Sequence, residues 1–351
     1  MFRTVTPLTI FQQQVDLVQG LLPGILDGRL DSIHDARIAT RRIREVLPLT
    51  HEWLRRHVAD DLFTRFKKMG RSLGQVRDAD VRTALLRYLE ARVPLAAPWL
   101  VTVRQQQEAK RHHLMRKLLK RFERLSVETE LARLAGGAPW RSRLWVARAG
   151  AWRNELRRLL ADRAIGTHHA VMHATGVYFP NRVHHARIAI KKFRYAAEIA
   201  AHTGYLIDGP LIRDLKKSAD TLGDLHDRQT LIDDLTRTAA QDTPSQLTDR
   251  AEEMRTVAQV VAAEIQDLHA RYLERRPRII DAADRTVRDL RRPRVPSTAL
   301  AVAGVVAATG AEVIRRSLRG RRASAEAVSA DRDEPTISVR VPVPLSNERD
   351  E

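Results

Sequence analysis

One block of this sequence occurs twice, and the duplication constrains the fold more than any other feature. Residues 33–44 read IHDARIATRRIR and residues 183–194 read VHHARIAIKKFR, so that six of the twelve aligned positions are identical. Two further positions hold a basic residue in both copies. A repeat that keeps its residue types and its spacing is typical of a duplicated structural unit. The chain is therefore predicted to contain two similar halves related by a pseudo-twofold axis.

Each copy is predicted to be an amphipathic helix with cationic residues on one side. At the helical step of roughly 100° per residue, these residues fall in one stripe of each copy. The first and second cationic rows are His34, Arg37, Arg41 and Arg44, and His184, Arg187, Lys191 and Arg194. The opposite faces are predicted to be buried: Ala36, Ala39, Ile43, Val46 and Leu47, and Ala186, Ala189, Phe193 and Ala197, with Val183 at the edge. Like charges on one stripe repel one another, which indicates an anionic partner facing each row.

A shorter block repeats at nearly the same offset. Residues 73–78 read LGQVRD and residues 222–227 read LGDLHD. A basic pair on a predicted helix precedes each block, Lys67-Lys68 and Lys216-Lys217. This second match supports the prediction of two similar halves.

The overall charge agrees with an anionic partner. The chain has 61 Lys and Arg against 43 Asp and Glu, a net charge of +18. This excess goes far beyond what solubility requires and indicates nucleic acid, an anionic membrane surface or a phosphate polymer. With 43% hydrophobic and 30% charged residues, the composition is that of a soluble globular protein.

Several classes of protein are disfavoured by what the sequence lacks. There is no cysteine, which excludes disulfides, thiolate metal sites and cysteine nucleophiles. The first residues have no apolar core of signal-peptide length, and no stretch is long and apolar enough for a transmembrane helix. We expect a cytoplasmic protein without a membrane span.

The remaining pattern predicts an all-α fold. Alternating β-branched runs are scarce, and the single example, residues 337–343, lies in the tail. Glycine and proline at 136–139 favour a boundary between helical bundles at 7–135 and 141–292. Residues 293–351 are expected to form a short apolar helix, at 299–311, and a mostly disordered tail.

Local signals predict where the helices begin and end. Ser32 and Asn181 are expected to cap the two signature helices. Gly74 is expected to end its helix, and separate helices are expected on either side of Gly223. Pro277 is likewise expected to separate two helices, and a softer stretch is expected at residues 166–180.

These motifs together resemble the CHAD domain, the conserved histidine α-helical domain of bacteria and archaea. The resemblance rests on both signature copies and both LG blocks with their basic pairs, and it extends over residues 7–292. It implies two helical bundles about a pseudo-twofold axis with a basic central cavity. It also implies binding of inorganic polyphosphate, often at polyphosphate granules, without catalysis and without a cofactor or metal.

The resemblance further implies which residues bind polyphosphate. The signature positions and, with less support, the neighbouring basic positions are His34, Arg37, Arg41, Arg42, Arg44, Lys67, Lys68, Arg71, His184, Arg187, Lys191, Lys192, Arg194, Lys216 and Lys217. Arginine offers phosphate a planar fork of donors, and lysine offers a point charge. Arg42 and Lys192 point off the rows, so an ordinary solvated position is favoured for them.

Two other functions remain open at this stage. The charge also fits a nucleic-acid-binding protein, although aromatic residues make up only 5% of the chain and no helix-turn-helix is evident. A helical histidine beside cations also fits a histidine phosphotransfer protein. Some relatives carry a triphosphatase domain with an E-x-E-x-K signature; here Glu128 and Glu130 have the spacing, but Ala132 stands in place of the lysine.

The other polar clusters are given structural interpretations. Asp78 and Asp227 are predicted to be helix caps or arginine partners rather than catalytic acids. The histidines at 168, 169 and 173 are predicted to lie in a solvated loop rather than to bind a metal. The basic run at residues 110–124 either extends the anion site or forms an exposed face, and the sequence does not decide between them.

Overall fold

Helices account for all the regular structure in the described part of the chain. The computed structural model describes residues 5–136, 150–204, 209–241 and 243–291. The helices are α1 (Pro7–Leu26), α2 (Leu30–Val46), α3 (Arg56–Arg92), α4 (Ala97–Arg124), α5 (Val127–Ala135), α6 (Ala151–His173), α7 (Pro180–His202), α8 (Gly209–Ala239) and α9 (Pro244–Arg291). Within these ranges no strand occurs, which confirms the all-α prediction.

The order of packing follows the order of the chain. Helices α1 to α4 pack each on the next, as do α6 to α9, and α6 also packs on α9. Between the sequence halves, α2 meets α7 and α3 meets α8. These are the helices that carry the repeated blocks. All the described residues lie in one compact unit, Met1–Arg292.

Two apolar clusters stabilise this arrangement. The larger draws on both halves, with Phe11 and Ile43 from the first and Phe193 and Leu215 from the second among its fully buried members. The smaller lies where the α3–α4 and α8–α9 hairpins meet, and its members include Trp99. Burying such side chains contributes about 1.5–3 kcal/mol each relative to leaving them exposed.

The predicted apolar faces of the signature helices are buried almost completely. On α2, Ala36, Ala39, Ile43 and Val46 are fully buried, and Leu47 just beyond the helix is 1% exposed. On α7, Ala186, Phe193 and Ala197 are also fully buried and Val183 is 2% exposed. Ala189 is the exception, because it is only partly buried. Each row therefore lies on a helix whose other side is fixed in the core.

The two predicted N-caps are wrong. Helix α2 begins at Leu30, after a left-handed turn at Gly28 with φ 73°, so Ser32 lies inside the first turn. The Oγ of Ser32 lies only 2.1 Å from the position that a Cβ on Gly24 would occupy. Helix α7 begins at Pro180, which places Asn181 inside the helix as well. Proline favours the first helical position because its missing N–H would have no partner there.

The predicted breaks at Gly74, Gly223 and Pro277 are also wrong. Helix α3 runs through Gly74, α8 through Gly223 and α9 through Pro277. Keeping each helix continuous costs less than losing the packing on both sides of a break. A glycine inside a helix costs only about 1 kcal/mol, and in α9 the buried Tyr272 and Ile279 fix the helix on either side of the exposed proline.

The softer stretch is shorter than predicted. Helix α6 continues through Gly166 to His173, because Ala164, Thr167 and Val171 form a buried stripe at helical spacing. Only residues 174–179 separate it from α7. The expected boundary at 137–139 and everything predicted for residues 293–351, including the apolar helix and the tail, lie outside the described residues. The division into two bundles stays a prediction.

Candidate anion-binding site

The cationic rows of α2 and α7 meet at one cavity of about 490 Å³. Arg41 and Arg44 of the first row and Arg187 and Lys191 of the second contribute to its wall. We call this the main cavity, and its full lining is Arg41, Arg44, Glu45, Pro48, Phe63, Leu159, Arg163, Arg187, Ile188, Lys191, Lys192 and Tyr195. The rows therefore share a space, as an anion bridging both helices requires.

Tyr195 lies between the two rows. Its ring is 3% exposed, and the guanidinium of Arg194 stacks over it with 4.7 Å from Cζ to the ring centroid. From the other helix, an N–H of Arg41 donates to the Tyr195 hydroxyl at 3.5 Å. The tyrosine thus contacts a cation of each row, and a cation over an aromatic face is attracted by the ring.

The crowding of cations is visible in the pKa of Lys191. Burial, followed by the charges of Arg187, Arg41 and Arg37, lowers this pKa from 10.5 to about 7. Burial is also the main cause of the lowered pKa of Arg44, with Arg41 next. Burial again lowers the pKa of Arg187, although the Asp227 carboxylate opposes the change. The free protein therefore holds positive charge here at an energetic cost that an anion would relieve.

Some of these donors have no partner in the described part of the protein. The Nε atoms of Arg44 and Arg187 are buried and make no hydrogen bond there. A buried donor left without an acceptor costs about 1–3 kcal/mol. Phosphate oxygens placed in the main cavity would supply acceptors to both helices.

Arg37 is held by α3 rather than by the cavity wall. Its guanidinium forms an ion pair with Asp78, at 3.0 Å between Nη1 and Oδ1. Its guanidinium also packs beside Gly74, where a Cβ would be in ordinary van der Waals contact with it, 3.5 Å from Nε. Asp78 is thus an arginine partner, one of the two roles predicted for it.

The pKa of each row histidine lies below the ordinary value of a histidine. Burial and then Arg77 lower the pKa of His34, whereas burial and then Arg187 lower that of His184. His184 also stands beside His226, with 4.8 Å between ring centroids. Burial and Arg187 lower the pKa of His226 to about 4. Sequence reasoning missed His226, although it occupies the position of Arg77 in the repeated LG block.

Arg42 and Lys192 differ in position. Arg42 lies in a separate cavity of about 80 Å³ and pairs with Glu198, 3.3 Å from Nη2 to Oε2. Arg194 also approaches this carboxylate, at 3.3 Å. Lys192 is exposed and contributes to the main cavity. The solvated position predicted for both residues therefore describes the exposed Lys192, whereas Arg42 is half-buried and ion-paired.

The supporting basic positions are more distant from the rows. They lie exposed on α3 and α8, and none of them lines the main cavity. They are Lys67, Lys68, Arg71, Lys216 and Lys217. Conversely, sequence reasoning missed Arg163, which enters from α6 and pairs with Glu45 at 3.3 Å. Nothing in the repeat marks Arg163, because Gln13 occupies the corresponding position 150 residues earlier.

The remaining polar clusters have structural roles. The histidines at 168, 169 and 173 lie on α6, not in the loop predicted for them, and His168 Nδ1 is 2.8 Å from the Asp284 carboxylate. In the described ranges, no group of three or more histidine and acidic side chains is arranged to bind a metal ion. On α4, Arg111 bonds to Asp80 and to the Gly28 carbonyl, whereas most of its basic neighbours are exposed. None of the described helices has the length and apolar character needed to cross a membrane.

One protein family and several solved structures match this chain. A family model of the CHAD domain matches residues 9–236. PptA from Streptomyces chartreusis is 15% identical with a TM-score of 0.49, covering 81% of this chain and 97% of that one. The crystal structure of the CHAD domain from the plant Ricinus communis gives 21% identity and a TM-score of 0.45, covering 82% and 92%. No curated protein sequence matches the chain.

Proposed function

Because the chain belongs to the CHAD domain family, whose members are known to bind polyphosphate, we propose that it binds inorganic polyphosphate in the main cavity. The observation that carries this proposal is the shared cavity: Arg41 and Arg44 from α2 face Arg187 and Lys191 from α7 across it. A linear polyanion with acceptor oxygens on every unit can contact both helices at once. Its charge offsets the repulsion among these cations.

Within this proposal the two rows act as one clamp. Guanidinium groups bind phosphate oxygens in pairs, and Arg44 and Arg187 both line the cavity with Nε atoms that have no protein partner and that a small shift of the side chain would turn to phosphate. Lys191 takes up a proton as phosphate approaches, since an adjacent negative charge raises the pKa of an ammonium group. His34 and His184 add hydrogen bonds, and they add charge where bound phosphate raises their pKa.

The proposed activity is binding without catalysis. Two helical halves related by a pseudo-twofold axis would present one row each, in a cytoplasmic protein that associates with polyphosphate granules. The exposed cations of α3 and α8, among them Lys67, Lys68, Arg71, Lys216 and Lys217, would contact phosphate units beyond the cavity. Because phosphate contacts release counterions, the affinity should fall steeply with salt, as it does for nucleic acids.

A charge-matched pair of variants tests the location. At pH 6, below the pKa of Lys191, Arg44→Gln with Lys191→Gln removes two cations from the cavity wall, whereas Lys117→Gln with Lys120→Gln removes two exposed cations from α4. We expect the first variant to bind long-chain polyphosphate at least about tenfold more weakly, a loss of about 1.4 kcal/mol. The slope of log affinity against log salt should become shallower by about 0.7 for each phosphate that the variant no longer neutralises, the value for single-stranded nucleic acids.

The α4 variant serves as the control and should keep nearly all the affinity. Equal losses in both variants would mean that only net charge matters, and the cavity would not be the site. Titration of duplex DNA at the same salt tests the nucleic-acid alternative. Tighter binding of DNA than of polyphosphate would contradict the proposal.

A further inference from the structure

The main cavity has a wall that inorganic polyphosphate does not need. Beside its cations stand five apolar or aromatic side chains: Pro48, Phe63, Leu159, Ile188 and Tyr195. Ile188 is 37% exposed, which is unusual for an isoleucine beside so many charges. Apolar surface facing water is unfavourable, and a chain of phosphates has no apolar surface with which to cover it.

A carboxylate within the lining also does not suit phosphate alone. Glu45 lies in the wall beside Arg44, and Arg163 holds it at 3.3 Å between Nη2 and Oε2. A carboxylate accepts hydrogen bonds and donates none when ionised. It therefore repels phosphate but can accept a hydrogen bond from a sugar hydroxyl or from an N–H group of a base.

From these features we propose that the main cavity also binds nucleoside polyphosphates. The phosphates contact Arg44, Arg187 and Lys191, and the base lies against Phe63 and Ile188 with Glu45 within its reach. The predicted phosphate contacts rest on the function proposed above, whereas the predicted base contacts rest on the apolar wall of the cavity. The volume of about 490 Å³ falls within the range of about 300–1,000 Å³ that is typical of small-molecule sites.

The smaller cavity does not compete for such a ligand. Its volume is about 80 Å³, and its cation, Arg42, already pairs with Glu198. One nucleotide per chain is therefore expected.

Two ligands with three linked phosphates each isolate the contribution of the nucleoside. ATP and inorganic tripolyphosphate are titrated into the full-length protein by calorimetry, at equal pH and ionic strength and without divalent cations. We expect ATP to bind about tenfold more tightly than tripolyphosphate, and with a stoichiometry of one. The Ile188→Ser variant should reduce this ratio to about threefold or less, because it removes apolar wall that only the nucleoside covers.

Ile38→Ser is the matched control, because Ile38 is the repeat counterpart of Ile188 and does not line the cavity. It should leave both affinities unchanged. Equal affinities of ATP and tripolyphosphate for the unaltered protein would overturn the nucleotide proposal and leave polyphosphate binding intact. Binding of neither ligand would overturn both. Geranyl diphosphate binding more tightly than ATP would identify an aliphatic rather than a nucleoside ligand and would also overturn the proposal.

Discussion

At the level of single residues, Lys191 shows the energetic cost of bringing buried cations together. It lies on a buried part of α7, facing Arg187 on its own helix and Arg37 and Arg41 on α2, and its pKa falls to about 7. The sequence predicted that Lys191 belongs to the second row, because the repeat aligns it with Arg41. It could not predict the lowered pKa, since that depends on how closely α2 and α7 approach in three dimensions.

This pKa predicts how binding and stability depend on pH. At pH 8 the free protein holds Lys191 mostly neutral, so polyphosphate binding should take up a proton and the affinity should fall as pH rises through 7. Calorimetry in buffers of different ionisation enthalpy measures the uptake. The Lys191→Met variant should bind more weakly and should lose this proton uptake.

The same variant should be more stable than the unaltered protein. Between pH 7 and 10.5 the unfolded chain binds a proton at Lys191 that the folded chain does not, so the free energy of unfolding should rise with pH over this window. Lys191→Met removes this dependence on pH and the energetic cost of burying the ammonium group. A variant that is less stable at pH 7, or that keeps the same proton uptake on binding, would refute this account of Lys191.

At the level of elements, the contact between α1 and α2 determines where the first row begins. Their turn uses Gly28 in a left-handed conformation, and Ser32 packs directly on Gly24. The amphipathic pattern predicted α2 and its buried face. It did not predict their ends, because a serine that can cap a helix can also pack against a neighbouring glycine, and only the tertiary contact decides between these roles.

Replacing either of two glycines on α1 by alanine should therefore change the free energy of unfolding in opposite directions. Nothing lies within 4 Å of a Cβ on Gly20, so Gly20→Ala should raise the free energy of unfolding by about 0.5–1 kcal/mol. A Cβ on Gly24 would lie 2.9 Å from the Ser32 Cβ, which rotation of the hydroxyl does not relieve. Gly24→Ala should lower the free energy of unfolding by about 1–3 kcal/mol.

Urea denaturation of the two variants measures both changes. The difference in sign is the diagnostic result, because helix propensity alone favours alanine equally at both positions. If Gly24→Ala were as stabilising as Gly20→Ala, that result would contradict the close contact between Gly24 of α1 and Ser32 of α2.

At the scale of the whole molecule, the two repeated helices form one candidate site because α2 packs against α7. The duplication predicted two rows and the net charge of +18 predicted their anionic partner. Neither predicted that Phe63, Leu159 and Arg163 complete the cavity, since these residues come from α3 and α6 and carry no mark of the repeat. Helix packing between distant parts of the chain selects them.

A crystal structure with inorganic tripolyphosphate bound would test the central claim most directly. The account predicts one phosphate chain in the main cavity, with oxygens about 2.7–2.9 Å from donors of Arg44 on α2 and of Arg187 on α7. Phosphate bound only along the exposed face of α4, with no ligand between α2 and α7, would contradict it.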